Sequence, residues 1–338
     1  MLALTRSLTL AWPQVGQLKH TPPLACEPRR GVHFSCPTCG ADLLPVSEGV
    51  RSLRCSAGHV VDIAREGHLH LLPPKRVKGA VQEARDEVAR STRAFFEHGG
   101  FSAQLDGVAA EVVRAIGCCP SPQAGGTLHL LNTGCGEGAL LRRISTQLLD
   151  PTTTPLSLWG VDDNKLAVRY AAKRQKAARF AVAASHALPF GDGTVDCVCS
   201  LFGGQSLSWD ESCRVLRPGG AVVVARAGRE HLRELRESLD LYRPNSPKEF
   251  SAGLAEKYLR VTTSERFGIE AFDHLMAMTP FVRAATREQQ ARAREQFFRG
   301  GEGGEEGGGA LMSTPLTVDV IISTHRVWHG TGGGRFEY

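Results

Sequence analysis

The stretch that most constrains this chain is Leu128 to Gly138, where an apolar run enters a glycine loop and the loop opens a helical pattern. Such a turn needs a buried strand to deliver it and a helix to carry it away. The alternation then repeats. Leu158–Val161 reads as a second strand ending at Asp162, and Lys165–Ala178 as a basic helix. Phe180–Ala183, Val195–Ser200, Ala221–Arg226 and Val318–Ser323 read as further strands. Helical patterns are expected over 76–98, 102–116, 138–149, 229–241, 249–258 and 283–298. Short apolar strands with helical spacers predict an α/β fold on a parallel sheet.

The loop reads Asn132-Thr133-Gly134-Cys135-Gly136-Glu137-Gly138. It lacks the Lys-Ser/Thr pair of a phosphate-binding loop. Asp162, 24 residues after Gly138 at the end of the next strand, is placed to accept hydrogen bonds from ribose hydroxyls. Two cofactors fit this much, a dinucleotide and S-adenosylmethionine (SAM). Leu188-Pro189-Phe190, then Asp196, then Leu216-Arg217-Pro218-Gly219-Gly220 favour SAM, and the last stretch resembles the post-strand signature of class I methyltransferases. At Gly134 and Gly136 the backbone can approach the cofactor where any Cβ would obstruct it.

Ahead of this pattern lies Cys36-x2-Cys39-x15-Cys55-x3-His59. Two ligands on one tight turn and two on another can close a tetrahedron around zinc, and a site without an open position is structural. Metal binding would supply the folding energy that so short a segment lacks. The other cysteines, Cys26, Cys118, Cys119, Cys135, Cys197, Cys199 and Cys213, follow no such spacing. Several sit in apolar runs, where reduced Cys acts as a small core residue, so a reducing compartment fits better than a disulfide scaffold.

Charge excludes less. Lys plus Arg exceed Asp plus Glu by 40 to 35, a net +5 that permits an RNA partner without requiring one. No apolar run approaches the roughly 18 residues of a membrane helix, so no membrane partner is expected. The start of the chain carries Arg6, Lys19, Arg29 and Arg30 against Glu27, with Pro13, Pro22 and Pro23, the composition of a transit peptide for mitochondrion or plastid. Without such an address, the expected location is the cytoplasm. The expected layout is a leader (1–31), a zinc module (32–75), a helical linker (76–120) and the sheet domain (121–330), with a flexible Gly/Glu insert at 300–309. Lys75, Arg76 and Lys78 face RNA or form a solvated linker. Arg283, Arg287, Arg292 and Arg294 follow an RNA backbone or line a solvated helix face.

Zinc module and glycine loop together resemble the bacterial large-subunit rRNA guanine-N1 methyltransferases. The stretches are FSCPTCGADL, RCSAGHVVDIAREGHLHLLPPK, STRAFFEHGGFSAQL, LNTGCGEG, WGVDDNK, ASHALPF, VLRPGG and LMAMTPF, from Phe34 to Phe281. The resemblance implies a class I (Rossmann-like) methyltransferase sheet preceded by a zinc-binding module. It implies SAM on Gly134, Gly136 and Gly138 with Asp162 on the ribose, Ser185 and His186 near the adenine, and structural zinc on Cys36, Cys39, Cys55 and His59. It implies large-subunit rRNA as partner, and the Met278–Phe281 stretch near the active-site cleft. A homodimer is compatible with the sequence. Three departures stand out. Asn132 replaces the family's acid at the start of the glycine motif, keeping an acceptor and losing the charge. Ser200-Leu201-Phe202-Gly203-Gly204 stands where the family tends to have an aromatic-Ala-Pro segment beside the target base. The leader and the 300–309 insert lie outside the family pattern and point to an organellar relative. These departures motivate an alternative, a ribosome-assembly factor that keeps the fold and RNA grip without catalysis. For catalysis the candidates are Phe202, as a stacking surface for the base or a core residue, and His186, as base or adenine contact.

Overall fold

Near-continuous apolar stretches such as Val195–Leu201 need cover on both faces, and this requirement organises the chain. The computed structural model describes residues 31–73, 79–120, 126–147, 155–202, 207–241, 256–299 and 312–327. It opens with a small antiparallel sheet of β1 (Leu44–Pro45), β2 (Ser52–Arg54) and β3 (Val60–Asp62), followed by β4 (His68–His70). Helices α1 (Ala80–Glu97) and α2 (Ser102–Gly117) come next. The alternating part runs β5 (Leu128–Thr133), α3 (Ala139–Gln147), β6 (Leu156–Asp162), α4 (Lys165–Arg174), β7 (Ala178–Val182), β8 (Val195–Leu201), α5 (Trp209–Val215) and β9 (Leu216–Ala227). It closes with α6 (Arg233–Ser238), β10 (Lys257–Glu265), α7 (Ile269–Met278), α8 (Pro280–Ala284), α9 (Arg287–Phe298) and β11 (Leu316–Val327).

The main sheet has eight strands in the order β10-β11-β9-β8-β5-β6-β7-β4. The six from β9 to β4 are parallel, and β11 and β10 add an antiparallel edge. One face is covered by α2, α3 and α4, whose Val108, Val112, Leu141, Ile144, Val168 and Ala171 pack with Leu130, Cys197, Cys199 and Val223. The opposite face is covered by the Cys/His segment. Phe34, Leu43 and Leu69 pack with Leu131, Trp159, Val198 and Val222. The Phe34 ring lies 5.0 Å from Trp159, edge to face, and 5.3 Å from Phe190. A third cluster of Phe95, Phe101, Leu235, Phe272, Phe297 and Val318 joins α1, α6, α7 and α9 to β11.

The α/β class expected from the sequence is the class observed, with corrections in detail. The sheet is mixed: its late strands return antiparallel. The helix expected over 249–258 is absent from its described part, where Lys257 begins β10; 249–255 lie outside the described residues. The 229–241 helix contracts to Arg233–Ser238. The 283–298 helix starts at Arg287, where Thr286 and Gln289 form a reciprocal capping box. Pro280 both ends one helix and opens another, since Met278 closes α7 and Pro280 fills a first-turn position of α8 that needs no N–H. The leader 1–30, Lys75, Arg76, Lys78, Gly203, Gly204 and the 300–309 insert lie outside the described residues.

Glu111 of α2 ties the helical layer to the antiparallel edge. Its buried carboxylate takes two hydrogen bonds from Arg114 Nε at 3.0 and 3.1 Å, one from Lys257 Nζ at 2.9 Å and one from Thr324 Oγ1 at 2.6 Å. Burial alone would raise its pKa, but the bonds from Arg114, Thr324 and Lys257 outweigh that and hold it at about 2. A depressed carboxylate contributes stability above its ordinary pKa and loses it as pH falls from about 4.5 towards about 2. In urea melts, Glu111→Gln is expected to be less stable than the parent at pH 7 by about 1–3 kcal/mol and to lose less on acidification. Parallel pH dependence in the two proteins would remove Glu111 from this role.

Candidate functional site

Cys36, Cys39, Cys55 and His59 converge as their spacing predicts: one ligand atom from each lies within 4.8 Å of the others. Gly40 N–H bonds back to Cys36 O at 2.8 Å and Gly58 N–H to Cys55 O at 2.9 Å, closing the two knuckles. Cys39 Sγ is 3.6 Å from Cys55 Sγ, and His59 Nδ1 is 3.3 Å from Cys55 Sγ and 3.7 Å from Cys36 Sγ. Tetrahedral zinc with bonds of about 2.3 Å to sulfur and 2.0 Å to nitrogen separates its ligands by about 3.5–3.8 Å. The donor set therefore fits structural zinc. Burial works against ionising Cys36, yet backbone N–H groups of Thr38 and Cys39 and the neighbouring thiols bring it down to about 6, towards the thiolate a metal requires.

The second group lies at the carboxyl ends of the parallel strands, where open α/β sheets bind ligands. Gly134, Gly136 and Gly138 have φ of 64°, 54° and 87°. A Cβ on Gly136 would meet nothing within 4 Å, so the loop borders open space that a side chain would fill. Asp162 accepts from Gly136 N–H at 2.9 Å through Oδ2 and from Asn164 N–H at 2.8 Å through Oδ1. Its carboxylate thus braces the loop, and each oxygen keeps a lone pair for a ribose hydroxyl. Burial raises its pKa, and those two backbone bonds oppose the rise. Asn132 is buried, its Nδ2 donating to Cys199 O at 3.1 Å. A carboxylate could not make that bond, so the departure from an acid has a structural role. Ser185 and His186 follow β7 at the same edge, Ser185 half-buried and His186 exposed.

Sequence reasoning missed several groups here. Glu137 is buried in the glycine loop between Arg142 at 3.5 Å and Arg174 at 3.3 Å. Thr133 Oγ1 and Ser200 Oγ, near the ends of adjacent strands, are buried with no hydrogen-bond partner among the described residues. Such atoms are uncommon in folded proteins and mark where a polar ligand would be satisfied. With the open space at Gly136, they fit a polar cofactor such as SAM. Phe202, just past β8, is 36% exposed and contacts Phe101 and His231, with ring centroids at 5.8 and 5.5 Å. Phe101 lies in the stretch STRAFFEHGGFSAQL, though nothing there marks its place beside Phe202, and no local motif announces His231. Met278 and Phe281 pack on the cluster that includes Phe101. Arg292 and Arg294, expected either to follow an RNA backbone or to line a solvated helix face, pair with Asp240 at 3.3 Å and Asp273 at 2.6 Å.

Cys39→Ala is expected to lower bound zinc from about one per chain to none, measured by atomic absorption, and to expose 32–73 to proteolysis. One zinc retained per chain would refute this ligand set.

Comparison with known proteins agrees with this geometry. A family model described as a methyltransferase domain matches residues 131–224, and a zinc-ribbon model described as RlmA, N-terminal, matches 34–78. The 23S rRNA (guanine(748)-N(1))-methyltransferase of Streptomyces fradiae is 31% identical over 258 residues, 73% of this chain and 85% of its own. A Micromonospora griseorubida protein, whose name assigns it to 23S rRNA guanine-N1 methylation, is 34% identical over 224 residues, 64% of this chain and 73% of its own. Among solved structures, geranyl diphosphate C-methyltransferase of Streptomyces coelicolor aligns over 67% of this chain and 75% of its own, at 13% identity and TM-score 0.38. With a matching zinc ribbon, a matching methyltransferase domain and a relative of this similarity, the chain belongs to the 23S rRNA guanine-N1 methyltransferase family.

Proposed function

We propose that this protein transfers a methyl group from SAM to N1 of a guanine in large-subunit ribosomal RNA. The observation that carries this reading is the joining of a Cys3His ribbon to a glycine cradle in one chain of a guanine-N1 family. Gly134, Gly136 and Gly138 would admit the cofactor backbone-first, Asp162 would hold the ribose, and Ser185 and His186 would flank the adenine. Bound SAM supplies a methyl group already activated on a sulfonium. The protein's own task is to hold N1 in line with that methyl and to ease loss of the N1 proton. Base pairing hides N1, so the target is a loop, bulge or flipped guanine, with the exposed face of Phe202 as the surface on which it stacks. The basic, acid-poor leader supports delivery of the chain to a mitochondrion or plastid.

Asn132 supports a second reading, an assembly factor with RNA grip and no catalysis, because the neutral amide cannot attract the cofactor's ammonium group. Calorimetry separates the two: the methyltransferase binds SAM, and Gly136→Val, which fills the open space, is expected to abolish that binding. Unchanged affinity in the variant would remove the cradle assignment, and no binding by the folded, zinc-loaded parent would favour the assembly factor. The target follows from primer extension on large-subunit rRNA treated with protein and SAM. An N1-methyl blocks Watson–Crick pairing and is expected to produce one new stop at a guanine. No new stop under conditions where SAM binds would refute rRNA guanine N1 as the acceptor.

A further inference from the structure

Among the described residues, the non-glycine positions with positive φ are Phe101, Phe202 and Leu232, each at 53°, and Asp240 at 57°. Phe101 and Phe202 are two corners of an aromatic triangle, and Leu232 adjoins the third corner, His231. The Phe101–His231 and Phe202–His231 centroid distances are both 5.5 Å. Left-handed backbone is unfavourable for a bulky residue, and such strain gathers where structure serves a ligand. Topology agrees, because the segment bearing His231 follows the carboxyl end of β9, beside the end of β8 that bears Phe202.

Asp319 holds His231 in one state. Its carboxylate takes Arg260 Nε and Nη2 at 2.7 and 2.8 Å, Thr262 Oγ1 at 3.1 Å and Glu230 N–H at 3.1 Å. The carboxylate also packs against Gly228, where a Cβ would lie 2.1 Å from Oδ2, so the loop 228–232 is fixed to β11. The backbone N–H of Asp319 donates to His231 Nδ1 at 3.3 Å. Burial, with the nearby Arg236 guanidinium, lowers the His231 pKa to about 4 against the opposing pull of Asp319. The ring is therefore neutral at pH 7, its Nδ1 is an acceptor already in use, and its proton sits on Nε2. A ring so fixed donates through Nε2 and cannot serve as the general base.

We propose that His231 is the hydrogen-bond donor to the target base, with Nε2–H directed to O6 of a guanine stacked on Phe202. This rests on the guanine-N1 reading above. The edge of guanine that carries N1 offers one acceptor, O6, beside the donors N1–H and the exocyclic amine, so a donor imidazole on that edge pairs with O6. In the reaction the N1–H bond breaks and its proton passes to water, leaving the electron pair shared between N1 and O6. N1 then takes the methyl carbon while the methyl–sulfur bond breaks and its pair returns to sulfur, giving neutral S-adenosylhomocysteine. The bond from His231 strengthens as charge reaches O6, so it acts on the transition state more than on binding. It also lowers the pKa of N1 in the complex, and its loss raises that pKa.

The test is methylation of transcribed large-subunit rRNA by the full chain, with labelled SAM, from pH 6.5 to 9. His231→Leu is expected to lower kcat about 10²-fold at pH 7 with KM for RNA nearly unchanged, the deficit shrinking as pH rises. His231→Gln, whose amide can accept from Asp319 N–H and donate outward, is expected to recover most of the loss. Both should bind SAM as the parent does. If the parent methylates and His231→Leu matches its kcat and pH profile, the assignment to His231 falls while the methyltransferase reading stands. A Gln variant that binds SAM yet is as slow as Leu also overturns it. No label transferred to RNA by the parent overturns the guanine-N1 reading and this inference with it.

Discussion

The four-ligand Cys3His cluster is the constraint on which the remaining architecture rests. Of the large apolar side chains between Val32 and Pro73 only Phe34, Leu43, Leu69 and Leu71 are buried, and the strands are short, so the metal must hold the turns together. Once held, Phe34, Leu43 and Leu69 cover a sheet face that would otherwise expose Leu131, Trp159 and Val198 to water. The same segment donates β4 to the sheet, pairing His68–His70 with Phe180–Val182 through main-chain bonds. Metal binding and sheet burial are thus one energetic unit. Loss of the metal would uncover the face beneath the strands whose ends form the cofactor loop.

Above that covered face, the carboxyl edge divides its labour between charge and shape. Asp162 spends its two oxygens on backbone N–H groups of the glycine loop and of the α4 start, which sets the loop's curvature before any ligand arrives. Asn132 does the opposite of what an acid would do there, since its amide donates inward to β8 and locks adjacent strands together. One position fixes the cradle through an anion, the other through a neutral donor.

How much could be read from the chain alone follows from where the signals lie. Zinc ligands and the glycine loop were legible because each is set by local spacing. The parallel strands β5 to β9 were legible because double burial demands apolar runs, whereas β4, three residues with Leu69 between two histidines, was not. Lys257 and Tyr258 fell within the expected 249–258 helix because β10 alternates between half-buried and exposed positions that are filled largely by polar residues, which hides the strand's period of two. Its register with β11 depends on residues far along the chain. Glu111, Lys257 and Thr324 meet from three separate elements, as do Phe101, Phe202 and His231. No window of sequence contains such a group, so only the fold shows it.

The left-handed residues at positions 101, 202 and 232 carry a consequence for substitution. Glycine at any of them would relax the backbone, yet Phe101 and Leu232 are buried in the third core cluster, so there the cavity left behind would outweigh the relieved strain. At Phe202, which is 36% exposed, less packing would be lost, so there the strained backbone serves chiefly to present the ring at the carboxyl edge of the sheet.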